Sequence, residues 1–116
     1  MKHIPTILII IIILLIIKKR FFDNTDYKSM LDNDGIIVDV RTENEFLTGN
    51  IENSINIPLS EISSKVSILK DKNKPIITCC ASGMRSATAK QILKASGYTN
   101  VVNGGGWKSL EKKLKK

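Results

Sequence analysis

The sequence predicts an α/β domain: a small central sheet, mostly parallel, of about four to five strands with helices on both faces. Three observations carry this. Short apolar runs of strand type, Ile36-Ile37-Val38 and Ile76-Ile77, lack the alternation of a half-solvated strand. Stretches that read as helices separate them. Each junction is marked by Gly, Pro, Asn or Asp.

In chain order, Asn24 or Thr25 caps a short helix ending near Leu31. Asn33-Asp34-Gly35 is a turn leading into a strand, Ile36 to Val40. Thr42 with Glu45 three residues later is a capping-box pattern and opens the next helix. Ile55-Asn56-Ile57 is a short strand before Pro58, and Ser60-Glu61 open a helix with apolar positions 62, 66 and 69. Pro75 to Cys79 form a second buried strand, and Ala81 to Met84 a loop of mostly small residues. Arg85 to Ser96 read as a helix stopped by Gly97. Asn100-Val101-Val102 is a last short strand, Gly104-Gly105-Gly106 a flexible turn, and Trp107 to Lys115 a final helix with Trp107 in the core.

Residues 1–22 differ from the domain, 23–116. Ile7 to Ile17 is an unbroken Ile/Leu run, preceded by Lys2 and His3 and closed by Lys18-Lys19-Arg20. With no polar face it is not an interfacial helix. The expectation is an uncleaved membrane anchor over residues 4–22, with a single pass and the domain in the cytoplasm. A signal peptide, which would export the protein, and a buried core helix are the alternatives; no small-x-small cleavage site follows Ile17.

The net charge of +7 is confined to the ends. Lys2, Lys18, Lys19 and Arg20 hold one share, and the lysines from Lys108 to Lys116 the other, leaving the body close to neutral. Nucleic acid is therefore not an expected partner. The basic tail reads as a solvated helix end or as a contact for anionic head groups. The two cysteines, Cys79 and Cys80, are adjacent, which disfavours a disulfide between them. The lone histidine, His3, lies outside the domain, so no zinc site is expected and any cysteine chemistry lacks a histidine base.

The informative stretch is Cys80-Ala81-Ser82-Gly83-Met84-Arg85-Ser86, which leaves a buried strand and enters a helix. The amides of such a loop can converge on the Cys80 sulfur, and Arg85 adds a fixed positive charge. Both would hold Cys80 as a thiolate. Cys79, facing the other way, reads as core. Asp39 and Arg41 read as a structural network under the loop rather than as catalytic groups. Gly104 to Gly106 lack the Lys-Ser/Thr of a phosphate loop.

The loop resembles the active-site loop of the rhodanese family. The resemblance extends over about 25–110. Asp39-Val40-Arg41, Glu45-Phe46, Gly49-Asn50-Ile51 and Asn56-Ile57-Pro58 match its first signature. Gly97-Tyr98, Asn100-Val101 and Gly104-Gly105-Gly106-Trp107 match the end of the domain. Asn50 stands where the family usually has His; that position is expected to be structural. The resemblance implies a sulfurtransferase without cofactor or metal. Cys80 would take a sulfane sulfur from thiosulfate or a protein persulfide and pass it to a thiol acceptor. Ala81, Ser82, Gly83, Met84, Arg85 and Ser86 would hold the persulfide and the donor. Two rivals share the fold. A cysteine phosphatase has five residues between Cys and Arg, whereas four separate Cys80 from Arg85. A binding or persulfide-sensing module would use the fold without turnover.

Overall fold

The computed structural model describes the backbone of residues 4–22 and 25–115, and the side chains of 5–16 and 25–115. Four strands form one sheet in the order β2-β1-β3-β4. They are β1 (Ile36–Asp39), β2 (Ile55–Asn56), β3 (Ile76–Cys80) and β4 (Val101–Gly106). Every neighbouring pair is parallel: Val38 faces Ile55, Ile36 faces Ile76, and Ile76 faces Val101. The carboxyl ends of all four strands therefore share one edge, where α/β sheets bind ligands.

The helices are α1 (Ile4–Phe22), α2 (Tyr27–Asp32), α3 (Glu43–Thr48), α4 (Ile62–Lys65), α5 (Met84–Ala95) and α6 (Trp107–Leu114). Two apolar clusters flank the sheet. One joins Val38, Val40, Ile76 and Cys80 to Ile62 of α4 and Ala89 and Leu93 of α5. The other joins Ile37, Ile77 and Cys79 to Leu110 of α6, with Met30 and Leu31 of α2 against it. β3 is central and buried at every residue, so Cys79 and Cys80 project into opposite layers.

Local signals in the sequence explain most boundaries. Thr42 and Glu45 form the full capping box of α3. Asp26 caps α2 by accepting the Ser29 amide; Thr25 precedes the cap and Asn24 lies outside the described residues. The helix read from Ser60 to Leu69 is broken: one α turn lies between 3₁₀ turns at Leu59–Glu61 and Val66–Ile68. The Tyr98 hydroxyl lies within hydrogen-bond reach of the carbonyls of Val66 and Leu69 and shares its one proton between acceptors that a continuing helix would have used.

The glycine run is not a turn. Gly104, Gly105 and Gly106 are the last residues of β4, and α6 starts at Trp107. Two steps along β3, Thr78 to Cys80, face three along β4, Asn103 to Gly106, so β4 bulges. Gly105 absorbs the extra residue at φ 79°.

The membrane expectation is overturned. Among the described residues no helix is long and apolar enough to cross a membrane. Charge interrupts α1: Lys18 follows about fourteen uncharged residues, roughly 21 Å of helix against a hydrocarbon core of about 30 Å. The single-pass placement, the cytoplasmic orientation and the membrane contact of residues 4–22 fall with it. Lys2 and His3, and the side chains of Lys18 to Phe22, lie outside the described residues. Side chains Ile7 to Ile16 stand 45–60% exposed along α1.

Candidate active site

β3 delivers Cys80 to the carboxyl edge of the sheet, and the chain turns through Ala81-Ser82-Gly83 into α5. The turn closes because Gly83 takes φ 101°, a left-handed conformation that costs a side-chain-bearing residue about 1 kcal/mol or more. A Cβ on Gly83 would also lie 3.3 Å from the Cα of Gly105, so loop and bulge meet backbone to backbone.

This turn aims donors at one sulfur. The Gly83 amide donates to Cys80 Sγ at 2.9 Å and the Ser86 amide at 3.4 Å, with Ser86 Oγ also 3.4 Å away. Burial alone would push the Cys80 thiol up. The Ser86 hydroxyl and the amides of Ser86, Gly83 and Ser82 outweigh it and hold the thiol below its usual value of 9.0. The hydroxyl has one proton and a nearer acceptor in Asn103 Oδ1, so the amides are the firm donors. Cys79 is driven the other way, to about 12, by burial and then by the Asp39 carboxylate. The two neighbours thus differ in kind: Cys79 is an inert core thiol, Cys80 an acidic one.

Cys80 is buried, while Ala81, Ser82 and Met84 are exposed and Met84 projects its side chain into solvent. Arg85 spends both terminal nitrogens on Glu45, while its charge still interacts with that of Cys80. Its guanidinium grips Glu45 at 2.7 and 2.9 Å. The Arg85 side chain, and behind it the capping contacts of Thr42, hold the Glu45 carboxyl down at about 2.

Below the edge, Asp39 and Arg41 form a buried pair with Arg41 Nη2 2.7 Å from Asp39 Oδ2. Arg41 also donates to the carbonyls of Glu45 and Gly49, and its guanidinium lies 4.6 Å from the ring centre of Trp107. Asn56 donates to the Asp39 and Arg41 carbonyls. This cluster ties the end of β1 to the α3 segment that carries Glu45. Trp107 is half-buried: it packs against the Leu110 cluster and lies under the Arg41 guanidinium. Asn50 donates to the Phe46 carbonyl at the end of α3, a local structural bond.

Sequence reasoning missed Asn103. Its Oδ1 accepts the Ser86 hydroxyl at 2.6 Å and the Gly105 amide at 2.9 Å, and its Nδ2 donates to the Gly83 carbonyl at 3.2 Å. One side chain on β4 thereby holds loop, helix and bulge. Asn before Gly signals only a turn, so nothing local pointed to it.

A family model described as the rhodanese-like domain matches residues 23–113. The chain belongs to this family. The rhodanese-like domain is 36% identical over 74 residues to the thiosulfate sulfurtransferase PspE of Escherichia coli, spanning 63% of this chain and 71% of that protein. Among solved structures it is similar to a rhodanese-related protein from Thermoplasma volcanium. The TM-score is 0.64 at 38% identity, covering 75% of this chain and 85% of that one. An E. coli rhodanese structure with anions gives a TM-score of 0.62 at 36% identity, covering 65% and 89%. At the level of the family, then, the domain is of sulfurtransferase type.

Proposed function

We propose that this rhodanese-like domain transfers sulfane sulfur through a persulfide on Cys80. The observation that carries the reading is the set of amides converging on an acidic Cys80 sulfur at the carboxyl edge of the sheet. The Cys80 thiolate attacks the outer sulfur of thiosulfate or of a protein persulfide. The donor's S–S bond breaks, and sulfite or a thiolate leaves with the electron pair. A thiol acceptor then attacks the outer sulfur of Cys80–S–S⁻ and regenerates the thiolate. Charge and electrons balance in both steps, so no cofactor or metal enters.

In this scheme Gly83 and Ser86 are the principal donors to the sulfur, and Ala81 and Ser82 shape the turn. Met84 and Arg85 form the rim that a donor meets, and Asp39 and Arg41 support it from below. Incubating the full chain with thiosulfate should add one sulfur, about 32 Da, to Cys80 in the intact mass. Cyanide should then remove it as thiocyanate. A chain that stays unmodified with both thiosulfate and a protein persulfide is a binding module, and the proposal fails.

A further inference from the structure

Arg85 is the cation expected to greet an anionic donor, yet both of its terminal nitrogens are engaged by Glu45. The pair is a two-point fork, a geometry that a single anionic oxygen does not reproduce. Glu45 is itself held in place, because its Oε1 accepts the Thr42 amide and hydroxyl of the capping box. The other arginine on this edge, Arg41, is committed to Asp39 and to two carbonyls. Beside Arg85 runs a groove of about 340 Å³ whose remaining lining is Val40, Thr42, Pro58, Leu59 and Ser60. That wall suits an apolar carrier rather than a small dianion.

We infer that Glu45 is a specificity-determining residue: by occupying Arg85 it withholds a free cation from the Cys80 loop. It thereby biases the site toward persulfides on uncharged, apolar carriers and against doubly charged donors such as thiosulfate. This rests on the reading of Cys80 as the sulfur carrier. A dianion must break the Glu45–Arg85 fork to gain a counter-charge. A persulfide on an apolar body needs no such exchange and can lie along Pro58 and Leu59.

The test separates charge from turnover. Cys80 in the full chain is alkylated with iodoacetate, an anion, and with iodoacetamide, its neutral counterpart, and the rates are read by mass spectrometry at Cys80. Glu45→Gln keeps an acceptor for the capping box and removes the charge. It should raise the iodoacetate-to-iodoacetamide ratio about five-fold, the size expected of one unit charge near a partly solvated site. Arg85→Gln strands Glu45 and should lower the ratio by a similar factor. In parallel, Glu45→Gln should reduce the KM for thiosulfate while kcat changes less than about two-fold, a uniform-binding effect. Ratios that do not move in either variant overturn the inference. Persulfide formation by the wild-type chain is scored separately and decides the fate of the proposed reaction.

Discussion

The hydroxyl of Ser86 donates to Oδ1 of Asn103 across 2.6 Å, tying the first turn of α5 to β4. Because the Ser86 amide also faces Cys80 Sγ, this bond sets where one of the sulfur's donors points. Replacing Asn103 by Ala leaves the Gly105 amide and the Gly83 carbonyl without that partner. The expected cost is about 2 kcal/mol, with persulfide formation slowed at least about ten-fold as the amides lose alignment. Urea denaturation and stopped-flow sulfur loading report the two numbers; wild-type values for both would reject the role.

The two cysteines should separate cleanly. Cys80→Ser abolishes sulfur loading, while Cys79→Ala retains it at a stability cost of about 1 kcal/mol for the small cavity. Loading should rise with pH with its midpoint below 9.0, because the Cys80 thiol is lowered from that value. Cys79, at about 12, contributes nothing to that curve. A profile whose midpoint lies above pH 9, or one altered by Cys79→Ala, contradicts the assignment.

Asp39→Asn takes the carboxylate from an arginine that is only 3% exposed. An uncompensated buried guanidinium should cost about 3–5 kcal/mol. The denaturation midpoint is the measurement. A loss below about 1 kcal/mol would mean that the carbonyls of Glu45 and Gly49 suffice for Arg41.

Much of this architecture was legible because it rests on local chemistry. Ile37, Val38 and Ile76 to Cys79 are buried in runs too apolar to leave one face of the strand to water. The Thr42–Glu45 box needs only residues three apart. What escaped is through-space. Arg85 meets Glu45 from 40 positions away, a pairing that no local pattern announces. Asn103 reaches Ser86 across 17 positions. Gly104 looked like part of a turn because its demand for space comes from Ile77, Thr78 and Leu110, which close on it only once the layers pack. Residues 4–22 looked membrane-spanning because their composition is apolar, although Lys18 and Lys19 cut the uncharged run short.

Gly104 makes that point testable. A Cβ there would lie 2.7 Å from Ile77 Cγ2 and 2.9 Å from both Leu110 Cδ2 and the Thr78 carbonyl oxygen. Gly104→Ala should cost about 2–3 kcal/mol by overpacking. At Gly105 a Cβ meets nothing within 4 Å and only φ 79° is strained, so Gly105→Ala should cost nearer 1 kcal/mol. Equal losses, read from urea midpoints, would refute this ordering.

The Glu45 fork has an acid signature. Its carboxyl is lowered from 4.5 to about 2 in the folded chain. Its contribution is therefore present above pH 4.5 and lost as pH falls through 2. Stability of the wild type should drop more steeply than that of Glu45→Gln between those values. Parallel curves in an acid titration followed by circular dichroism would exclude the pair as a stabilising element.

Because the adjacent thiols stand on opposite sides of one strand, Cys80 has no resolving partner inside the chain, whose only other cysteine is Cys79. A sulfenic acid formed on Cys80 by peroxide cannot collapse into an internal disulfide. Rescue has to come from an external thiol or reductant, and without one a second peroxide oxidises the sulfur to sulfinic acid.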